Sequence, residues 1–231
     1  MTNGWDESAE AWIATMGEAG DFSRNCVLDK PMLERVRAGD FKYVLDVGCG
    51  EGRFSRMLRG IGMQTVGIDP TEVLIQEARR RDSRGDYRLG IAEELQFMNE
   101  TFDLIVTYLT LIDIPDVVKA IVEMKRVLKP GGRLLIANLT SFGTASDGWS
   151  KEPNPRFCID HYLEIRELPL EWNGIRITNW HRPLSYYMKL LLCEGLILRH
   201  FDEPHAYGGD PAVVNKYQRV PWLMLMEWEK P

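Results

Sequence analysis

Apolar positions along this chain fall into two rhythms that take turns. Short runs rich in apolar and β-branched residues at 43–47, 63–68, 86–91, 102–109 and 133–139 each read as a strand, and the fourth is apolar enough to be central in a parallel sheet. Between them the period lengthens to three and four. Residues 53–58 read as a helix, and so do 70–81, where Val73, Leu74 and Ala78 face inward and a solvated charge cluster follows. The strongest helix spans 116–128: Val117, Val118, Ile121, Val122, Met124, Val127 and Leu128 share one side, Pro115 lies near the first turn and Pro130-Gly131-Gly132 closes the end. Strands alternating with helices predict an α/β chain around a buried parallel sheet.

Beyond 140 the alternation breaks. Residues 140–155 are rich in Ser, Thr, Gly, Asp and Pro and read as loop, while 162–168 and 174–180 alternate like two antiparallel strands. A complete sheet has no folding need for such an insertion, so it reads as a substrate cover. A helix returns at 183–194, with Leu184, Tyr187, Met188, Leu191 and Leu192 on one face, and strands at 197–201 and 221–228 finish the chain. Ahead of the first strand, Trp5, Trp12, Ile13 and Met16 fall at i, i+7, i+8 and i+11 and predict an amphipathic helix.

The chemistry gathers at the join between 43–47 and 53–58. Gly48, Gly50 and Gly52 allow positive φ and a close backbone approach to a ligand, and the helix start behind them presents free N–H groups. The dinucleotide fingerprint would place a third glycine where Arg53 stands, so the pattern is Gly-x-Gly-x-Gly instead. Asp69 ends the second strand at about the distance where an acidic side chain meets ribose hydroxyls, and its two oxygens can accept both protons.

Four blocks in order over roughly residues 40–140 carry a resemblance: Val-Leu-Asp-Val-Gly-Cys-Gly-Glu-Gly-Arg-Phe (44–54), Val-Gly-Ile-Asp-Pro (66–70), Phe-Asp-Leu-Ile-Val (102–106) and Val-Leu-Lys-Pro-Gly-Gly-Arg-Leu-Leu-Ile (127–136). Together they resemble a class I S-adenosylmethionine-dependent methyltransferase. The block His181-Arg182-Pro183-Leu184-Ser185-Tyr186, with Gly195-Leu196 and Asp202-Glu203-Pro204, is similar to a bacterial small-molecule subgroup.

The resemblance implies a doubly wound, mostly parallel seven-stranded sheet with an antiparallel C-terminal edge, in one domain over 1–231. Residues 1–38 would be a helical lid and 140–180 an inserted antiparallel cover. The implied cofactor is S-adenosylmethionine, with S-adenosylhomocysteine as product. Its binding falls by position to Arg24, Asp46, Gly48, Cys49, Gly50, Arg53, Asp69, Pro70, Ile91, Ala92, Glu93, Tyr108 and Leu109. Arg24 can pair with the methionine carboxylate or form a surface salt bridge, and Glu93 can equally be an exposed helix-start acid.

Charge narrows the partner. A net charge of −6 over 231 residues argues against a general nucleic-acid surface and makes a small molecule the default. After the fourth strand Thr107-Tyr108-Leu109-Thr110 lacks the Asn-Pro-Pro-Tyr-like motif of amino-methylating nucleic-acid enzymes. Cys26, Cys49, Cys158 and Cys193 are scattered and read as reduced thiols. No spacing suggests a metal, and no signal or membrane span is recognisable, so a cytosolic monomer or homodimer is expected.

Methyl transfer needs alignment and exclusion of water, and a base only if the acceptor arrives protonated. His181 and His161, in the expected cover, are the candidate bases, although His181 can instead orient the helix beginning at Pro183. Trp12, Phe22, Trp149, Trp180 and Tyr186 are candidates to line a pocket for a flat, aromatic or heterocyclic acceptor. Two other readings stand beside this one. A nicotinamide oxidoreductase is opposed by Arg53, and a cofactor-binding sensor without catalysis is kept open because Asn138-Leu139-Thr140-Ser141-Phe142 lacks a His-Pro pair associated with the subgroup.

Overall fold

The computed structural model describes residues 3–231; Met1 and Thr2, at the start of the expected lid, lie outside the described residues. The chain opens with α1 (Trp5–Met16), a π-helical turn (Arg24–Leu28) and α2 (Asp29–Arg37). Strands β1 (Tyr43–Val47), β2 (Gln64–Asp69), β3 (Asp86–Leu89), β4 (Phe102–Tyr108) and β5 (Leu128–Leu139) pair in parallel, connected in part by α3 (Arg53–Gly60), α4 (Glu72–Arg81) and α5 (Val117–Val127).

After β5 come α6 (Ser141–Thr144), β6 (Ser146–Trp149), β7 (Phe157–Ile159), β8 (Arg166–Trp172), β9 (Ile175–His181), α7 (Leu184–Cys193), β10 (Ile197–Asp202), α8 (Pro211–Arg219) and β11 (Leu223–Glu229). The main sheet has seven strands in the order β10-β11-β5-β4-β1-β2-β3, with β11 antiparallel to both neighbours. This is the doubly wound sheet with an antiparallel edge.

Alternation along each strand decides which layer it feeds. Leu45 and Val47 of β1 and Ile105 of β4 pack with α5 and with Tyr187 and Leu191 of α7. Val44, Leu104, Val106 and Tyr108 point the other way, into Met32 and Val36 of α2 and Phe54 and Leu58 of α3. Asp46 shares that second face, which sets its carboxylate against α3. Strand order reverses between β1 and β4, so a crevice opens outside their carboxyl ends.

The latter half departs from the periodicity in register and in content. The inserted hairpin runs over Arg166–Trp172 and Ile175–His181, not 162–168 and 174–180, because Asn173-Gly174, at φ 47° and 79°, is its two-residue turn. Residues 140–155, expected as loop, contain α6 and the first strand of the β6–β7 pair. Helix α8 was not foreseen, although Asp210 caps it by accepting from the Ala212 N–H at 2.7 Å and Pro211 occupies its first turn. Strand β5 starts at Leu128, directly after α5, because Lys129-Pro130 disfavours further helix.

The N-terminal segment docks on the insertion rather than on the sheet alone. The Ser8 hydroxyl donates to the Arg176 carbonyl at 2.9 Å and accepts from the Arg176 N–H at 2.9 Å, and the Thr178 N–H donates to the Asn3 carbonyl at 2.9 Å. A side chain at Gly4 would collide with the Arg176 carbonyl. α1 and β9 therefore close over the crevice as one unit. No described helix is long and apolar enough to cross a membrane.

Candidate functional site

Beneath that roof lies a cavity of about 830 Å³. Its floor is the glycine turn. The Gly48 and Cys49 N–H groups donate to the Ile68 carbonyl at 2.8 and 2.9 Å, and the Gly50 N–H donates to Asp69 Oδ2 at 3.0 Å, so the turn is tied to the end of β2. Gly48 (φ 72°) lies so close to Thr110 that any Cβ would collide with it, whereas a Cβ on Gly50 (φ 54°) would meet only open space. Gly50 thus leaves the backbone bare toward the cavity.

Carboxylates dominate the floor. Asp46 is 1% exposed; its Oδ2 accepts from the Ser55 hydroxyl at 2.6 Å, while its Oδ1 is buried with no partner in the protein. Burial pushes Asp46 up to about 7 and Asp69 up to about 6, because the desolvated charged form is disfavoured. An orphaned acceptor and a bare backbone turn leave room for a nucleoside-like ligand that brings its own donors and a positive centre.

On the other side, the Tyr108 hydroxyl donates to Asp29 Oδ1 at 2.8 Å, the Arg53 guanidinium pairs with the same carboxylate, and the Tyr108 ring stacks on Phe54 at 4.8 Å. Arg24 reaches over Trp12, with 4.9 Å to the ring centroid, and pairs with Asp21 at 2.8 Å. Leu109, just past β4, holds φ 58°, a conformation rare for a non-glycine residue and common near ligand sites.

All thirteen residues expected at a cofactor border this cavity: Arg24, Asp46, Gly48, Cys49, Gly50, Arg53, Asp69, Pro70, Ile91, Ala92, Glu93, Tyr108 and Leu109. Trp12 borders it too. The other pocket candidates do not. Trp180 is on the opposite face of β9 from Ile177 and Asn179, which line the cavity, and its ring packs beside Arg182 at 5.1 Å. Trp149 packs on Arg219 at 4.1 Å and Tyr186 beside Tyr187 at 6.4 Å, while Phe22 packs on Tyr217 at 4.8 Å, one layer behind the wall.

Neither candidate base reaches the cavity. His181 is fully buried; its Nε2–H donates to the Tyr162 carbonyl at 2.9 Å, so Nδ1 accepts from the Thr144 hydroxyl at 2.7 Å and no lone pair is left for a substrate. Burial lowers its pKa and keeps it neutral. His161 is on the surface, its Nδ1 at 2.8 Å from Glu164, which raises its pKa.

Sequence reading missed the rest of the lining. Leu170 and Trp172 of β8, Ile177 and Asn179 of β9, Trp5 of α1, and Tyr217 and Trp222 around the end of α8 form the roof and far wall. Between roof and floor lies 110–115, with Asp113 against the cavity; the Asn179 amide donates to its Oδ1 at 2.6 Å. Only the Asn-Gly turn at 173–174 would have fixed which face of the hairpin points inward. Among the described residues, no cluster of side chains could hold a metal ion.

The family described as "Methyltransferase domain" matches residues 45–136, the span that carries the glycine turn through β5. The malonyl-[acyl-carrier protein] O-methyltransferase of Erwinia pyrifoliae is 33% identical over 133 residues, covering 57% of this chain and 50% of that protein. The ubiquinone biosynthesis O-methyltransferase of Rhizobium etli is 32% identical over 165 residues, covering 64% of this chain and 66% of that one. The chain thus spans only half to about two thirds of these relatives.

A solved S-adenosylmethionine-dependent methyltransferase from Mesorhizobium loti superposes with a TM-score of 0.74 at 22% identity, over 85% of this chain and 96% of that one, which shows the shared fold. S-adenosylmethionine is the cofactor of this domain type, and the bare turn and unpartnered Asp46 oxygen are compatible with it. Residues 45–136 match a methyltransferase-domain family, on the fold of a solved S-adenosylmethionine-dependent methyltransferase.

Proposed function

We propose that the protein transfers the methyl group of S-adenosylmethionine to an oxygen or nitrogen of a small aromatic or heterocyclic metabolite. The supporting observation is the continuity of one cavity of about 830 Å³ from the glycine turn to the aromatic roof, large enough for two ligands end to end. Bound S-adenosylmethionine supplies a methyl carbon already activated by its positive sulfur. The chain's own task is to hold and align.

In this reading Asp69 accepts from the ribose hydroxyls while Gly48, Cys49 and Gly50 back the sugar. Pro70, Ile91, Ala92 and Glu93 flank the base. Asp46, whose Oδ1 has no partner in the protein, borders the amino-acid end, where Arg24 meets the carboxylate, and Arg53 holds Asp29 and, through it, Tyr108. Tyr108 and Leu109 border the reacting centre. Trp12, Trp172, Leu170 and Ile177 cover the acceptor and exclude water. His181 supports the cover by joining α6 to the loop at Tyr162 and takes no proton.

Relatives named O-methyltransferases support oxygen, and the surplus of carboxylates around the cavity supports nitrogen. The test is transfer of labelled methyl from S-adenosylmethionine to a panel of amines, phenols and alcohols. Labelled product from any member is the expected result. Cofactor binding without turnover on the whole panel would favour the sensor reading instead.

A further inference from the structure

The segment 110–115 is fastened with more bonds than a surface connection requires. Arg182, 2% exposed, donates to the carbonyls of Leu111 at 3.0 Å, Ile114 at 2.6 Å and Pro115 at 3.0 Å. The Trp180 N–H donates to the Ile112 carbonyl at 2.6 Å, and the Asn3 amide to the Asp113 carbonyl. These five bonds come from the N-terminal strap or the β9 end of the insertion. Together they fix one side chain, Asp113, at the wall between floor and roof.

Asp113 differs from the floor carboxylates. It follows β4 rather than β2, and the Asp69 carboxylate at the β2 end is near enough to act on it, disfavouring its charged form. Its neighbours are Asn179, Trp5 and the apolar pair Ile112 and Ile114. Arg24 is a cation acting on it, and that guanidinium is committed to Asp21 at 2.8 Å. The wider cavity is bordered by Asp21, Asp46, Glu51, Asp69, Glu93 and Asp113 against Arg24 and Arg53. With Asp21 paired to Arg24, Glu51 to Arg81 and Arg53 to Asp29, the acids Asp46, Asp69, Glu93 and Asp113 have no cation paired to them among the described residues. A carboxylate or phenolate acceptor would enter against that field. A cation would enter with it, and Trp5, Trp12 and Trp172 offer aromatic faces suited to an ammonium.

We propose that the methyl acceptor is a basic amine on an apolar or aromatic body, and that Asp113 binds its ammonium and receives its proton. This rests on the methyltransferase reading above and deepens it. The Asp113 carboxylate takes one N–H proton and frees the nitrogen lone pair. That pair forms the new N–C bond while the methyl–sulfur bond breaks with its electrons left on sulfur, and the proton on Asp113 then passes to water. Burial pushes Asp113 up to about 7, which suits proton exchange near neutral pH.

The test is calorimetry on protein saturated with S-adenosylhomocysteine, using matched triads: benzylamine, benzyl alcohol and benzoate, and the same heads on longer alkyl chains. At least one amine is expected to bind about tenfold or more tighter than its alcohol and carboxylate partners, the discrimination of a charge-assisted bond. Asp113→Asn should abolish that ranking while changing S-adenosylhomocysteine affinity by less than about threefold, which also certifies that the variant folds. If the variant does not fold, the wild-type ranking decides. Preference for the alcohol or the acid, failure of every amine, or an Asp113→Asn protein that keeps the ranking would overturn the proposal. Failure of S-adenosylhomocysteine itself to bind would instead overturn the cofactor reading on which it rests.

Discussion

The floor and the roof of the cavity are made of different materials. The floor is backbone and carboxylate, drawn from successive strand ends of one sheet and locked by hydrogen bonds from the glycine turn to Asp69 and from Asp46 to Ser55. The roof is aromatic and aliphatic, drawn from α1, the β8–β9 hairpin and the α8 end, and it is held by a few bonds such as Ser8 to Arg176. A floor built this way is preformed for one ligand. A roof built by docking three appended pieces can change its shape with little effect on the sheet, so acceptor choice and cofactor choice are physically separable.

The largest effect should come from the floor. Gly48→Val sets a side chain into Thr110 at a φ that disfavours it; we expect loss of measurable cofactor binding and a destabilisation of about 1–3 kcal/mol by denaturant melts. Next comes Asp69→Ala. Removing the acceptor should weaken S-adenosylmethionine by about 10–100-fold in calorimetry, the range for a hydrogen-bonded charged group, while acceptor KM at saturating cofactor stays unchanged.

The roof should answer in the other parameter. Trp172→Ala should raise acceptor KM by roughly tenfold, as for loss of a large aromatic contact, with cofactor affinity nearly intact. Equal losses in both would erase the distinction between the two regions. Trp12→Ala sharpens it further, because Trp12 supports Arg24 and should move both parameters.

Acidity affects the floor through its buried acids. Asp46 and Asp69 ionise at about 7 and about 6 when folded but near the ordinary carboxylate value of about 3.9 when unfolded, so the folded state binds more protons in between. Stability of the ligand-free protein should therefore fall as pH rises from about 4 to about 7, by the proton-linkage rule, and the thermal shift given by S-adenosylmethionine should grow over the same range. A flat stability profile would show that these carboxylates are not desolvated. The smallest effect on chemistry belongs to His181→Ala, expected to cost about 1–3 kcal/mol of stability for the orphaned Thr144 and Tyr162 partners, with kcat unchanged.

The floor was legible in the amino-acid order because its parts are contiguous or tied to strand ends. A Gly-x-Gly-x-Gly turn and an acid closing the next strand can be read locally, and Asp69 and Gly50 indeed meet at 3.0 Å. The roof was not. Its faces depend on hairpin register, and a reading that places the strands at 162–168 and 174–180 misses the turn that orients Trp172, Ile177 and Asn179 inward. The histidines misled for a related reason: their position in the insertion was visible, but the Tyr162 carbonyl and Thr144 hydroxyl that consume the His181 ring depend on tertiary packing. Asp113 carried no signal beyond its place after the fourth strand; only the groups converging on its segment single it out.

The most direct test is calorimetric titration of S-adenosylmethionine into the purified chain. One molecule should bind per protein, with affinity much reduced in Asp69→Ala and little changed in Trp172→Ala. Absence of binding at millimolar ligand, or an affinity that depends on Trp172 as strongly as on Asp69, would contradict the account of a preformed nucleotide floor beneath a separate acceptor roof.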